Sequence, residues 1–404
     1  MALMNIVKLG TAVETIMGQA PAGKDCNRDG VGIPFVKVGE FGFDRPEIRE
    51  WTTDPKKQAQ RGDVLLCVVG ATCGKINLGE DCAIGRSVAA LRPLQEKITQ
   101  HYLYYFMQGK VQDFRDGSQG AAQTVISKVM IAEAKIPLPT IPEQQRIVAI
   151  LDQAFADIEK ARANAEKNLK NARELFDSYL QQVFSQWDEG WTTRMMSDKS
   201  LLQMVDGDRG HNYPKKSDFK DEGHCLFLST KNVRPNGFKF QDTVFISEER
   251  DNLLRKGRLK RNDVLITTRG TIGNLALFDD SVKYKNIRIN SGMLILRPNV
   301  SQILPSYLFE IMRSNIVKSQ VLAKTSGAAQ PQLPIQTLNT FSFPVPESLI
   351  EQKEMVLKLQ ELEKKASMLQ AVYLHKLDSL DELKKSLLQK AFSGELTKSK
   401  GIAA

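Results

Sequence analysis

Pro142-Glu-Gln-Gln-Arg-Ile-Val148 opens a run that reaches Ser185 without a glycine or a second proline, and Glu351-Gln-Lys-Glu-Met-Val356 lies in another such run, from Glu347 to Ser393. Glu, Gln, Lys, Ala and Leu dominate both, and all are strong helix formers. Gly394 is a natural stop for the second. In the second run apolar residues fall at Val356, Leu359, Leu362, Ala366, Leu369, Tyr373, Leu377, Leu380, Leu383 and Leu387, steps of three and four that make a heptad seam. The first runs through Ile147, Leu151, Ala154, Ile158, Ala161, Ala165, Leu169, Ala172, Leu175 and Tyr179, whose smaller side chains allow close approach. A helix of about 44 residues is about 66 Å long, too long to hide its stripe on one domain. The two helices are therefore expected to pair with each other as an antiparallel coiled coil. The alternative is that each packs on a partner subunit.

Working outward from these runs, the chain proves to be a duplication. Arg61-Gly-Asp-Val-Leu-Leu returns as Arg261-Asn-Asp-Val-Leu-Ile, Thr72-Cys-Gly as Thr271-Ile-Gly, and Leu91-Arg-Pro as Leu296-Arg-Pro. Tyr102-Leu-Tyr-Tyr-Phe-Met matches Tyr307-Leu-Phe-Glu-Ile-Met, Gly120-Ala-Ala-Gln matches Gly327-Ala-Ala-Gln, and Ile136-Pro-Leu-Pro matches Phe343-Pro-Val-Pro. The order is collinear, and the drifting offset is what surface insertions produce. Ahead of each long helix lie short β-branched and aromatic runs broken by Gly, Pro and Asn, such as Ile33–Val38, Asp63–Val69, Phe227–Thr230 and Asp263–Thr268. A helical stretch near Tyr102–Val111, copied near Tyr307–Val317, interrupts them. The expected class is α+β: two homologous mixed α/β domains at 1–142 and 187–350, long helices at 143–186 and 351–394, and a tail at 395–404.

With 404 residues, 42% hydrophobic and 25% charged, the composition is that of a globular protein of two or more domains. The longest apolar run, Val64–Val69, is far below the ~20 residues that span a bilayer, and the N-terminus has no secretion-signal pattern. The five cysteines are odd in number and form no Cys-x-x-Cys pair, and the four histidines are scattered. Reduced thiols in a cytoplasmic protein, without a metal or a membrane, are the expectation. The net charge of +9 is uneven, about +1 over residues 1–186 and about +8 over 187–404. Such asymmetry suits a polyanion binder.

The order domain, long helix, domain, long helix resembles the DNA-specificity subunit of Type I restriction–modification systems. The resemblance rests on the helix start at Pro137–Val148 and its looser copy at Pro344–Val356, on the paired Leu-Arg-Pro, and on the Ala391-Phe-Ser-Gly end. It covers essentially the whole chain. It implies two target recognition domains, each reading one half of a split site in double-stranded DNA, with paired helices as spacer and as dock for two methylation subunits. Those partners would be adenine-N6 methyltransferases using S-adenosylmethionine, joined by two motor–nuclease subunits for restriction. The specificity subunit itself is implied to be non-enzymatic and to hold no cofactor.

The residues agree that chemistry lies elsewhere. Gly18-Gln-Ala-Pro-Ala-Gly-Lys-Asp25 comes close to a phosphate-binding P-loop, but Asp25 stands where Ser or Thr must reach magnesium, and Pro21 lacks an N–H. Asp206-Gly-Asp-Arg-Gly begins like a calcium loop without the closing Glu. No methyltransferase, hydrolase or zinc-protease signature is present. A competing reading is a scaffold with two ligand-binding heads, oligomerised through its helices.

For DNA contacts the duplication supplies a filter. Residues kept in both copies suit structure or phosphate, and residues that differ suit base reading. Arg92 and Arg297 are kept, which argues for a structural role. Gln123 and Gln330 are also kept, which favours a helix-start or backbone role, although glutamine can bind adenine bidentately and both remain candidates. Among positions that differ, Gly39-Glu40 faces Lys231-Asn232, Gly70 faces Arg269 beside the shared Thr271 turn, Lys75 faces Asn274, Ala83 faces Arg288, and Gly85 faces Asn290. Lys24, Lys37, Arg86, Lys215 and Lys216 sit in loop-like stretches suited to phosphate. Half-sites about 34 Å apart would place both domains on one face of the duplex.

Overall fold

A computed structural model of the protein describes residues 5–116, 125–185, 190–235, 237–325 and 332–396. The chain forms two compact units, one of Met1–Lys167 with Leu374–Ala404 and the other of Asn168–Tyr373.

Each unit is built round a four-stranded antiparallel sheet. In the first its order is Val13–Met17, Val88–Pro93, Val64–Cys67, Ile76–Leu78, and in the second Leu202–Asp206, Met293–Pro298, Val264–Thr267, Leu275–Leu277. Val64-Leu-Leu-Cys is apolar at every position because both faces of the strand are covered. Alternation sends Val64 and Leu66 into one core with Leu91, Tyr102 and Ile147. It sends Leu65 and Cys67 into another with Val36, Ile84 and Val88. Val264 and Ile266 part from Leu265 in the same way. A period of two with both faces apolar lets a single sheet divide two cores.

The core away from the helices is closed by a parallel strand pair, with Phe35 facing Ala83 in the first unit and Phe227 facing Arg288 in the second. On the other side lies helix Gln100–Asp116, whose copy is split into Pro305–Arg313 and Asn315–Thr325. The break falls at buried Ser314, whose hydroxyl donates to the Ile311 carbonyl at 2.6 Å and competes with the helical ladder.

The first and last strands of each half pair antiparallel, Ile6–Lys8 with Lys135–Pro137 and Trp191–Met195 with Ser342–Pro346. Each closing strand leads into a long helix of 45 residues, Ile141–Ser185 or Leu349–Ser393. The two helix starts are clamped alike. Gln144 is fully buried, accepts from the Thr99 N–H at 2.9 Å, and donates to the carbonyls of Lys97 at 2.8 Å and Pro139 at 3.0 Å. Gln352 accepts from the Leu304 N–H at 2.8 Å and donates to Gln302 at 3.1 Å and Pro346 at 2.9 Å. The Tyr102 hydroxyl donates to the Pro137 carbonyl at 2.8 Å, and that of Tyr307 to Pro344 at 3.0 Å. The repeated Glu-Gln and Tyr-Leu of the sequence are these clamps.

Both long helices contribute to both units. In the first, Arg162 pairs with Asp381 and Glu159 with Lys384 at 3.5 Å, so the helices run antiparallel there. Leu388 and Ala391 complete the core of Ile147, Leu151, Phe155 and Ile158. In the second, Phe176, Leu180 and Phe184 share a core with Val356, Leu359 and Ala366. The buried stripe departs from the strict heptad: Leu175 and Leu383 are 45% and 46% exposed, while Phe176 and Phe184 take buried positions. An α-helix of 3.6 residues per turn drifts against a 3.5 repeat over such a length, which brings the phenylalanines round to the buried side.

Candidate nucleic-acid interface

The loops that leave the two sheets on one side carry most of the candidate residues, and matched backbone bonds fix which positions correspond. Val68 N–H bonds to Ser87 and Thr268 N–H to Gly292, while Gly74 N–H returns to Cys67 and Gly273 N–H to Thr267. Gly70 and Gly270 have φ of 91° and 71°, and Gly74 and Gly273 of 92° and 85°. These are left-handed conformations that favour glycine. Gly70 is therefore the counterpart of Gly270, and Arg269 corresponds to Val69. The expected match of Arg269 to Gly70 fails because the first turn holds one residue more, inserted after its first glycine.

Five candidates prove to be committed elsewhere. Arg288 is 4% exposed, and its guanidinium binds the buried Asp251 carboxylate and the carbonyls of Lys256 at 2.7 Å, Asp251 at 2.6 Å and Leu254 at 2.9 Å. Breaking so many charge-assisted bonds to reach a base is costly, so Arg288 is a core ion pair. Asn232 is also buried. Its Oδ1 accepts from the Ser229 N–H at 2.9 Å, and its amide donates to Lys239 at 3.2 Å and Gln241 at 3.1 Å. Glu40 does the same work in the first copy, accepting from the Lys37 N–H at 2.9 Å. The half-buried Asn274 and Asn290 are spent on the Val233 carbonyl and the Gly292 N–H, each at 3.0 Å. Lys37 pairs with Glu50 and lies 5.5 Å from the centre of the Phe35 ring.

Arg92 and Arg297 take the structural role their repetition suggested. Each clasps the aspartate of the repeated Arg-x-Asp through two bonds, Arg92 to Asp63 at 3.0 Å and Arg297 to Asp263 at 2.8 Å. The Asp206-Gly-Asp segment serves the backbone. Asp208 sits below the usual carboxylate range although burial opposes this, because the N–H groups of Gly210, Arg255 and Lys256 favour its charge.

Lys24, Lys75, Arg86, Lys215, Lys216, Lys231, Arg269 and Thr271 are exposed, whereas Gln123 and Gln330 lie outside the described residues. Of the exposed set, Arg269 lines a cleft of about 350 Å³ with Asp206, Arg209, Thr268, Gln332 and Gln336. A groove of about 590 Å³ in the first copy begins at the same place on the scaffold. Met17, the counterpart of Asp206, and Lys128, at the first turn of the matching short helix, line it with Glu14, Lys56 and Lys57. Arg209, Gln332, Gln336, Lys56, Lys57 and Lys128 were not singled out from the sequence. Comparing the copies just beyond the repeated Gly-Ala-Ala-Gln, where Gln332 stands against Val125, would have found two of them. Among the described residues no group of three or more metal-binding side chains occurs, and no helix is long and apolar enough to cross a membrane.

A family model described as the Type I restriction modification DNA specificity domain matches residues 1–167 and 195–385. The chain is 24% identical over 389 residues to the Type I restriction enzyme MjaVIII specificity subunit of Methanocaldococcus jannaschii, covering 89% of this chain and 85% of that one. It is 21% identical over 355 residues to the EcoBI specificity subunit of Escherichia coli, covering 83% and 74%. Two solved structures share the fold at 18% identity. One, from work on complex assembly and conformational transition of the type I R-M system, has a TM-score of 0.80 over 97% of this chain and 98% of its own. The other, the HsdS subunit from Thermoanaerobacter tengcongensis, has a TM-score of 0.63 over 97% of both.

Proposed function

The chain belongs to the Type I restriction–modification DNA specificity family, whose members are non-catalytic subunits, and on that premise we propose that it recognises a bipartite DNA target. Recognition domains 1–142 and 187–350 each read one half-site, and the helices 143–186 and 351–394 set the gap between them. Two adenine-N6 methylation subunits, which bind S-adenosylmethionine, and two motor–nuclease subunits are directed to the site by the bound chain. The work is done on DNA in the cytoplasm. One observation carries this reading: a single scaffold occurs twice, and the exposed side chains at its matching loop positions differ between the copies. Lys24 and Arg86 in the first domain, and Lys215 and Lys216 in the second, are the proposed phosphate contacts; Lys75, Lys231 and Thr271 are further DNA contacts, and Arg269 a base contact.

The gap tests the reading. Seven residues added to each long helix lengthen it by about 10.5 Å, roughly three base pairs of duplex. Methylation mapping of the assembled methyltransferase is expected to show a gap longer by that amount with both half-sites unchanged. A target of unaltered length would remove the ruler role from the helices.

A further inference from the structure

Three of the four exposed polar side chains that line the second domain's cleft, Arg269, Gln332 and Gln336, are valines in the first domain. Arg269 and Gln332 are opposed residues of an antiparallel bridge, as are Val69 and Val125. Leu333 N–H bonds to Thr268 at 3.0 Å and Ile126 N–H to Val68 at 2.9 Å, which fixes the register. The next residues, Pro334 and Ser127, cap the short helices Ile335–Leu338 and Lys128–Glu133, so Gln336 corresponds to Val129. The buried Leu338 and Ile131 hold the two short helices against their cores in the same manner.

These side chains are free to act. Arg269, Gln332 and Gln336 are exposed, and none has a hydrogen-bond or ion-pair partner through its side chain among the described residues. Across the same cleft Arg209 is already neutralised by Asp206 at 3.1 Å. In the first domain Val125 and Val129 are 43% and 70% exposed, and Val69 is half-buried. A lone exposed valine needs no explanation. Valines at all three positions matching an Arg-Gln-Gln set do.

Resting on the bipartite DNA reading above, we infer that the positions 69/269, 125/332 and 129/336 are the base-reading positions of the two domains. In the second half-site Arg269 donates to a guanine edge, and Gln332 and Gln336 pair with adenine edges. In the first, Val69, Val125 and Val129 present methyl groups to thymine methyls, so that half-site is selected by apolar contact where the other is selected by hydrogen bonds. Opposed residues of one bridge have side chains about 5 Å apart on one face, close enough to address neighbouring base pairs.

The test uses the full chain assembled with its methylation subunits, with methylated sites mapped by sequencing and binding titrated on single-base variants of the mapped target at several salt concentrations. The variants are Arg269→Val, Gln332→Val, Gln336→Val, Val125→Gln and Val129→Gln, at exposed positions where the fold tolerates change, with melting of the complex as the folding control. Each second-domain variant is expected to lower discrimination about 5- to 150-fold at one position of a single half-site. The valine variants change only the other half-site. An unaltered target, a change in both half-sites, or a loss equal for all sequences with a shallower salt slope overturns the assignment. If the unmodified complex yields no split target, the bipartite reading itself fails, and that outcome is seen before any variant is compared.

Discussion

Gln144 and Gln145 are neighbours in the motif that opens the central helix, and they should behave very differently. Gln144 is fully buried and bonded to Thr99, Lys97 and Pro139, whereas Gln145 is exposed. Gln144→Ala strands one backbone N–H and two carbonyls that lie between the closing strand, the loop before Gln100–Asp116 and the long helix. At about 1 kcal/mol for each lost bond the loss is roughly 3 kcal/mol, or about 150-fold in a local opening constant. Gln145→Ala should stay within about 0.5 kcal/mol. A chain of two units does not unfold as one step, so native-state hydrogen exchange is the assay. The Thr99 amide is expected to lose about a hundredfold of its protection in Gln144→Ala and none in Gln145→Ala. Equal effects from the two substitutions would refute the clamp and leave the repeated Glu-Gln without a structural reason.

The repeated arginines give a second contrast. Arg92→Ala or Arg297→Ala leaves Asp63 or Asp263, each 1% exposed or less, as an unpaired buried charge, at a cost of about 3 kcal/mol seen as lost hydrogen-exchange protection in its unit. The DNA target should not change, and a changed target with unaltered stability would mark these arginines as readers. A third prediction concerns pH. Burial pushes Glu310 up to about 7, with the Arg313 charge opposing and Glu363 adding to the rise. A carboxyl raised on folding stabilises fully below its ordinary value of 4.5, and that stabilisation is lost as pH climbs through about 7. The second unit should therefore melt lower at pH 8 than at pH 6, by an amount that Glu310→Gln abolishes. An identical pH dependence in that variant would sink the assignment.

Much of the fold was legible because duplication makes internal similarity report on function within the scaffold. Gln144 with Gln352, Arg92 with Arg297, and Tyr102 with Tyr307 recur because each closes the same backbone bonds in its own unit. Strand pairing was not legible. Nothing in Ile33–Val36 or Cys82–Ile84 announces that they run parallel, since a short buried run reads alike whichever neighbour it takes. Steps of three and four put Leu175 on the seam, but the larger Phe176 and Phe184 rings take the buried positions.

The site shows where comparison of copies succeeds and where it misleads. Glu40 and Asn232 differ in chemistry yet cap the same turn, because either oxygen can accept the same N–H; difference between copies there says nothing about DNA. Arg288 differs from Ala83 because Asp251, 37 residues away in sequence, neutralises it across the fold, and no local pattern reveals such a partner. Aligning the repeated Thr-x-Gly sets Arg269 against Gly70, because one inserted residue after Gly70 lengthens that turn while both glycines keep left-handed geometry; the backbone bonds pair Arg269 with Val69 instead. A difference between copies becomes informative only where the side chain is also exposed and unspent, because only there does the scaffold leave chemistry for a ligand to satisfy. Arg269, Gln332 and Gln336 meet both conditions, and Val125 and Val129 in the first domain meet the complementary one: apolar groups left in water at positions where the second copy places glutamines.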